Sequence, residues 1–229
     1  MTITYHTDLL QGSEEWHQIR CGILTASEVK HILTPTLKIA NNDKTRQHVW
    51  EIAAQRITGY TEPSYIGDDM LRGWEDEIKA RDLYSQTRAA VAEVGFITSD
   101  DLGFVMGYSP DGLVGDDGLI ECKSRRQKYQ VQTISEGTVP DEYMLQLQTG
   151  LLITGRKWID FISYSGGLPM FTCRVLPDAE MQAAIVTAAT EFEARVVQAV
   201  RSFHDNVAAH GYPSTEREVV QEMFVGEAE

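Results

Sequence analysis

The sequence has few of the residues that build disulfides, zinc sites or membrane spans. Three cysteines are scattered through 229 residues without a CxxC pair, so neither a disulfide framework nor a structural zinc site is expected. The six histidines show no HxxxH or similar spacing, which also argues against zinc. No run approaches the ~18 consecutive apolar residues of a membrane span, and the N-terminus lacks the basic flank and apolar stretch of a secretory signal. We therefore expect a cytoplasmic protein with no membrane segment.

Basic residues are also scarce, since 20 lysines and arginines stand against 34 acidic residues and the net charge is −14. A uniformly acidic surface would repel the phosphates of nucleic acid. The charge is uneven, however, because residues 178–229 hold ten acids and three arginines, or −7, which is half of the total. A local basic cluster is formed by Lys123, Arg125, Arg126 and Lys128. A nucleic-acid substrate therefore remains compatible with the composition if basic residues line one groove.

Length and composition predict one domain that spans residues 1–229, with a helical N-terminal part (1–90), a sheet core (91–175) and a C-terminal helix (178–206) followed by a tail. Apolar residues at intervals of three and four mark the last helix most clearly, with Asp178 as its cap. Other helices are predicted at 14–20, 25–33, 45–58, 68–87 and 140–154. Strands are predicted at 91–98, 104–108, 119–123, 158–164 and 170–175. This order predicts an α/β (α+β) fold with a central mixed β-sheet flanked by helices.

The segment that ends at Lys123 carries the strongest chemical signal. Pro110 and Gly112 bracket Asp111, so its carboxylate is expected at a turn. Glu121 and Lys123 are two residues apart in a predicted strand, which places both side chains on the same face. An Asp-Asp-Gly turn folds this strand back towards Asp111. Two carboxylates and an ammonium are therefore expected to converge.

Hard oxygen ligands of this kind suit Mg²⁺ or Mn²⁺, and the backbone carbonyl of Cys122 is a further candidate ligand. A bound cation polarises a phosphate oxygen and lowers the pKa of its water, while Lys123 can orient that water, help deprotonate it or neutralise charge. With nine residues between Asp111 and Glu121, the pattern is the PD-(D/E)xK nuclease signature, which predicts a restriction-endonuclease-like core. An acidic turn with a surface ion pair stays open as the alternative.

Two predicted helices add candidates. Helical spacing stacks Trp74, Glu77 and Arg81 on one face, which Tyr84 continues, so Glu77 is expected to point inward. A plain Glu77–Arg81 surface pair is the alternative. In the helix at 140–154, Tyr143 and Gln146 share a face and are candidates for binding water or phosphate, against simple solvation.

The N-terminal region adds a possible phosphate contact. Arg20 supplies a planar fork that matches phosphate oxygens, and Ser27 near a predicted helix start adds a donor. Taken alone, Trp16 is a core anchor and Arg20 a surface residue.

Together these segments resemble the phage lambda exonuclease (YqaJ-like viral recombinase) family. The matching blocks are EEWHQIRCGILTASEV, GWEDEIKARDLY, GYSPDG, GLIECK and EYMLQLQTGLLITG, which lie in the right order between residues 14 and 155. The resemblance implies a single nuclease domain that degrades one strand of linear duplex DNA in the 5′-to-3′ direction. The products would be 5′-mononucleotides and a 3′ single-stranded overhang for recombination by strand annealing.

The resemblance also implies roles for individual residues. Asp111, Glu121 and the carbonyl of Cys122 would bind one Mg²⁺, and Glu77 with Asp111 a second, with Mn²⁺ as a substitute. Lys123 would serve the attacking water, assisted by Gln146 and Tyr143.

The family's pocket for the 5′-phosphate would be matched by Arg20, Ser27 and Ser109. A further family arginine falls on Tyr129 in a gapless alignment, so Arg125, Arg126 or Lys128 must replace it.

The assembly and partners are likewise implied by the family. Its members form a ring-shaped homotrimer that threads the product strand, and hand the 3′ tail to a phage-type single-strand annealing protein. Two alternatives stay open: a site-specific or structure-specific endonuclease with the same chemistry, and a catalytically inert DNA-binding recombination scaffold. Specific cleavage of circular DNA would favour the first, whereas the intact acids and lysine count against the second.

Overall fold

The computed structural model describes residues 2–63 and 67–217. The helices in these residues are α1 (Glu14–Arg20), α2 (Asp43–Thr58), α3 (Asp68–Thr87), α4 (Gln127–Glu136), α5 (Asp141–Thr154) and α6 (Ala179–His210), with a 3-10 helix at Ala26–His31. The strands are β1 (Ile3–His6), β2 (Leu24–Thr25), β3 (Phe96–Ser99), β4 (Met106–Tyr108), β5 (Gly112–Val114), β6 (Gly118–Ser124), β7 (Trp158–Tyr164) and β8 (Phe171–Val175). No helix in these described ranges is long and apolar enough to cross a membrane.

The strands form two four-stranded sheets, each with both parallel and antiparallel pairs. The first has the order β1-β3-β4-β2, in which only β2 and β4 run parallel. The second has the order β5-β6-β7-β8, in which only β6 and β7 run parallel. Mixed sheets flanked by helices are thus confirmed, but the strands are divided between two sheets, and β1 and β2 lie in the part predicted to be helical.

The first predicted strand is split between these sheets. Ala92 forms an isolated bridge with Leu113 of the second sheet, whereas β3 begins only at Phe96 and pairs within the first. A Cβ atom at Gly95 would lie 2.1 Å from the carbonyl oxygen of Leu9, so the close approach of the N-terminal segment requires glycine here. The chain therefore passes from the second sheet to the first between Ala92 and Phe96.

The main core lies between the sheets and the helices α2, α5 and α6. The buried residues Ile185, Ala189 and Phe192 recur on one side of α6, as the sequence periodicity predicts. Asp178 caps this helix, since its side chain accepts a 3.0 Å hydrogen bond from the amide of Met181. The helix runs to His210, four residues beyond its predicted end.

Helix α3 covers the opposite face of the second sheet over a smaller core. Its inward row consists of Asp76, Ala80 and Tyr84, which are all buried. The sequence placed Trp74 on the inward face, and this is wrong because Trp74 is 47% exposed. Positions 74 and 76 lie about 200° apart around a helix, so they cannot face the same layer. Glu77, next to the inward row, is half-buried.

Helix α4 was not predicted, because its buried face is polar. Its buried positions are Gln130 and Thr133. The amide nitrogen of Gln130 donates to the carbonyl oxygens of Ser163 (3.0 Å) and Pro169 (2.8 Å). Hydrogen bonds rather than an apolar stripe therefore join this helix to β7 and the following turn, and such bonds leave no periodic signal in the sequence.

Candidate active site

Strand β6 carries Glu121 and Lys123 through the middle of the second sheet. It pairs with β5 on one side and β7 on the other. Leu119 faces the main core, whereas Ile120 and Cys122 belong to the smaller core under α3, which confirms the predicted alternation. Glu121 and Lys123 therefore project from one face, and Nζ of Lys123 donates a 2.6 Å hydrogen bond to Oε1 of Glu121.

Three donors surround the buried carboxylate of Glu121, which is only 2% exposed. Its Oε1 accepts from Lys123 and, at 2.5 Å, from the side-chain amide of Gln146 on α5. Its Oε2 accepts a 2.6 Å hydrogen bond from the hydroxyl of Tyr108 on β4. The predicted residues Glu121, Lys123 and Gln146 are thus in direct contact. Tyr108 was not predicted, because its contact joins strands of different sheets.

Asp111 is tied to the same strand. Its amide donates to the carbonyl oxygen of Ile120 at 3.2 Å, which leads the chain into β5. Its Oδ2 accepts a 2.5 Å hydrogen bond from the amide of Cys122, the residue between Glu121 and Lys123. The turn and the strand therefore present their carboxylates together, as the motif predicts.

Glu77 approaches this group from α3. The neighbouring Asp76 accepts a 2.6 Å hydrogen bond from the hydroxyl of Ser124, the residue after Lys123. Burial is the main cause that raises the pKa of Glu77 to about 7; Lys123 opposes this shift and Glu121 adds to it. Arg81, one turn after Glu77, forms an ion pair with Glu93 at 3.3 Å and not the Glu77–Arg81 surface pair that was the alternative.

The charges of the four groups influence one another. Burial raises the pKa of Asp111 well above its ordinary value, and the charges of Glu121 and Glu77 raise it further. Burial alone would lower the pKa of Lys123, but the charges of Glu121 and Asp111 outweigh it and raise that pKa. Three carboxyl groups thus share one ammonium, so they cannot all ionise readily unless a cation neutralises part of their charge.

The donor set fits a hard divalent cation. Among residues 2–63 and 67–217, no three His, Cys, Asp or Glu side chains are grouped closely enough to hold a metal ion as they stand. Mg²⁺ does not require three, because it is usually held by one or two carboxylates together with waters and substrate phosphate. Two carboxylates, from Asp111 and Glu121, and the carbonyl of Cys122 are hard oxygen ligands of that kind.

A cavity of about 290 Å³ opens beside Lys123. Its lining residues come from the 3-10 helix, β6 and α5: Ala26, Ser27, Lys30, Lys123, Glu142, Tyr143 and Gln146. Tyr143 and Gln146 line it together, in keeping with their predicted shared face. Ser27 and Lys30 are three residues apart on the 3-10 helix and lie on one side of it. Lys30 was not singled out from the sequence, because an isolated lysine gives no signal.

Arg20 and Ser109 meet at the end of β4. The guanidinium of Arg20 donates a 3.3 Å hydrogen bond to the hydroxyl of Ser109 and lies 4.1 Å from the ring centroid of Trp16. The indole N–H of Trp16 reaches the same hydroxyl at 3.1 Å. Burial lowers the pKa of Arg20, and the charge of Glu28 opposes this shift. Trp16 thus holds Arg20 and Ser109 together, and Ser109 stands two residues before Asp111 in the sequence. Ser27 lines the cavity.

Among the three basic residues left open for the phosphate pocket, Arg125 bonds to two residues of the cavity wall. Its guanidinium donates to the carboxylate of Glu142 (2.6 Å) and to the hydroxyl of Tyr143 (2.7 Å), both of which line the cavity. Arg126 is the N-cap residue of α4, and Nζ of Lys128 lies 4.6 Å from the ring centroid of Tyr129.

The two mixed sheets, the flanking helices and the acid–acid–lysine arrangement define a fold of the PD-(D/E)xK nuclease class. Within that class, the chain belongs to the family of the YqaJ-like viral recombinase domain, whose family model matches residues 15–157. No curated protein matches the chain.

Solved structures support this assignment. The alkaline exonuclease LHK-Exo from Laribacter hongkongensis is 35% identical, with a TM-score of 0.77 over 86% of this chain and 99% of that one. The structure of LHK-Exo in complex with dAMP has the same identity and coverage and a TM-score of 0.75. A phage-related exonuclease from Haemophilus somnus 129PT is 16% identical, with a TM-score of 0.54 over 79% of this chain and 96% of that one, and shares the fold.

Proposed function

We propose that this protein is a Mg²⁺-dependent 5′-to-3′ exodeoxyribonuclease that degrades one strand of linear double-stranded DNA to 5′-mononucleotides. The remaining 3′ overhang would serve recombination by strand annealing. The proposal depends on one arrangement: Lys123 lies 2.6 Å from Glu121, and Asp111 is bonded to the amide between them. The chain is 35% identical to the alkaline exonuclease LHK-Exo, whose structure has also been solved in complex with dAMP. This similarity supports an exonuclease with a mononucleotide product.

In this mechanism Asp111, Glu121 and the carbonyl of Cys122 would hold one Mg²⁺, and Glu77 with Asp111 a second; Mn²⁺ suits the same oxygens. Bound ions would supply a water of lowered pKa and neutralise charge on the phosphate. Lys123, held by Glu121, would place its ammonium beside the attacked phosphate.

Gln146 and Tyr143 would orient the attacking water from α5. Gln146 already donates to Glu121, so its carbonyl oxygen remains to accept from water. Tyr143 lines the same cavity, and its hydroxyl is held by Arg125.

The 5′-phosphate would be bound by groups on both sides of the catalytic cluster. Arg20, fixed by Trp16 and Ser109, would supply a planar pair of donors, and Ser27 a hydroxyl at the cavity wall. Arg125 would complete the pocket, because its guanidinium contacts two residues of that wall. Such a pocket would bind the end of a strand and thereby favour cutting from 5′ ends.

We further propose a homotrimeric ring that threads the product strand, acting in the cytoplasm of a bacterial host with a phage-type single-strand annealing protein. Family membership is the support for this assembly. A ring retains DNA by topology, which suits a chain with a net charge of −14.

One experiment tests the activity and its direction. Linear duplex labelled at either the 5′ or the 3′ end of one strand is incubated with the protein, with Mg²⁺ or with EDTA. We expect early release of the 5′ label as mononucleotide, persistence of the 3′ label and no reaction in EDTA. Specific cuts in closed circular DNA would support an endonuclease instead, whereas DNA binding without cleavage would support an inert scaffold.

A further inference from the structure

Tyr108 connects the first sheet to the catalytic strand of the second. Its side chain is 1% exposed, and its hydroxyl donates a 2.6 Å hydrogen bond to Oε2 of Glu121, which is 2% exposed. A hydrogen bond to a buried carboxylate is stronger than one between neutral groups, and it is not exchanged with water. Nothing in the Asp-to-Lys motif requires a phenol at this place.

Helix α5 provides the space that Tyr108 occupies. A Cβ atom at Gly150 would lie 2.7 Å from Cε1 and 2.8 Å from Cζ of the Tyr108 ring, so the ring packs against bare helix backbone. Gln146 lies one turn earlier on the same side of α5 and donates to Oε1 of Glu121. One face of α5 thus contacts Glu121 directly through Gln146 and indirectly through the Tyr108 ring.

We infer that Tyr108 is a positioning residue of the metal site, which holds Oε2 of Glu121 so that the carboxylate is already oriented when a divalent cation binds. This inference rests on the proposed function, because it assigns Glu121 to the cation. Removing a hydrogen-bond partner behind a metal ligand typically weakens metal binding by about 10- to 100-fold. The ring itself would remain in place in Tyr108→Phe, which deletes only the hydroxyl.

The hydroxyl of Tyr108 is suited to permanent donation. An ionised carboxylate can only accept hydrogen bonds, so the direction of donation is fixed.

Tyr84 provides a matched control within the same chain. It is also 1% exposed, and its hydroxyl donates a 2.7 Å hydrogen bond to Oδ2 of Asp160, which is 2% exposed. Asp160 is paired with Arg174 and has no part in the proposed metal site. Tyr84→Phe therefore deletes a buried phenol–carboxylate hydrogen bond of the same kind, with a comparable loss of stability. Unlike Tyr108→Phe, it deletes no hydrogen bond to the proposed metal ligand Glu121.

The test is a calorimetric titration of the full chain with Mn²⁺ in the absence of DNA, together with urea unfolding of each variant. We expect Tyr108→Phe to bind Mn²⁺ about 10- to 100-fold more weakly and Tyr84→Phe to bind it like the wild type. In cleavage assays, Tyr108→Phe should need more Mn²⁺ for half-maximal rate but recover most of the rate at saturation.

The possible outcomes separate this inference from the proposed function. Wild-type affinity in Tyr108→Phe, or equal losses in both variants, would overturn the role of Tyr108 and leave the metal site standing. A wild-type protein that binds no Mn²⁺ would overturn the metal site, and the role of Tyr108 with it.

Discussion

The amide of Cys122 donates a 2.5 Å hydrogen bond to Oδ2 of Asp111. Because Cys122 separates Glu121 from Lys123, this bond fixes the acid of the turn relative to the side chains on both sides of Cys122. The turn and the strand therefore cannot shift against each other without breaking this short hydrogen bond and the 3.2 Å bond from the Asp111 amide to the carbonyl oxygen of Ile120.

Lys123→Ala should lower the cleavage rate by about 10²- to 10³-fold, the range for loss of one group that stabilises charge in the transition state. The ammonium lost is the one that bonds to Glu121 at 2.6 Å. Single-turnover rates at saturating Mg²⁺ measure the effect, and circular dichroism checks the fold. Retention of more than a tenth of the wild-type rate would contradict the assignment.

Asp111→Asn should be more stable than the wild type without metal and less stable than the wild type with metal. It keeps an oxygen that accepts from the Cys122 amide but removes one of three mutually repelling carboxylates. The variant should therefore melt at a higher temperature than the wild type in EDTA. Mg²⁺ at about 100 times its Kd should stabilise the wild type by about 2.7 kcal/mol and the variant by much less. Equal stabilisation of both would count against Asp111 as a ligand.

Arg20→Ala should chiefly reduce the preference for 5′-phosphorylated ends. Hydrogen bonds to a charged group contribute about 1.5–3 kcal/mol, so turnover of 5′-phosphorylated duplex should fall about tenfold or more, with little change on 5′-hydroxyl duplex. Arg46→Ala, at an exposed position paired with Asp43, is the control. Equal use of both ends by the wild-type protein would remove the basis for the pocket.

Lys30→Ala should weaken DNA binding through the loss of one phosphate contact. Its ammonium lines the cavity beside Lys123, whereas Lys44 is an exposed lysine on α2 that does not line it. The slope of log K against log salt should fall in magnitude by about 0.7–0.9 for Lys30→Ala and stay constant for Lys44→Ala. Fluorescence anisotropy with Ca²⁺ in place of Mg²⁺ measures binding without relying on cleavage. Identical slopes for the two variants would show that Lys30 touches no phosphate.

Gly150→Ala should destabilise the protein although alanine is the better helix former by about 1 kcal/mol. The new methyl group would lie 2.7 Å from the Tyr108 ring, and overpacking of this kind costs about 1–3 kcal/mol. Gly73→Ala, in a helix with no atom within 4 Å of the added Cβ, should instead stabilise by about 1 kcal/mol. Urea unfolding measures both, and a stabilising Gly150→Ala would disprove the packing of Tyr108 against α5.

Several elements were predictable because their signals are local. Helix α3 and strand β7 have the predicted bounds, because the residues that begin and end such elements act over a few positions. Helix α4 was missed because its buried positions, Gln130 and Thr133, are polar. Trp74 was placed on the wrong side of α3, because a short stretch of sequence does not distinguish a large apolar residue that is exposed from one that is buried.

The sequence by itself determined that two acids and a lysine come together: period-2 alternation puts Glu121 and Lys123 on one face, and the turn after Pro110 places Asp111 beside that strand. Only the tertiary structure decided which residues surround them. Tyr108, Gly150 and Lys30 reach the site from another sheet, another helix and the 3-10 helix. The physical reason is that periodicity and turn chemistry act over a few residues, whereas the partners of a buried carboxylate are chosen by how distant segments pack.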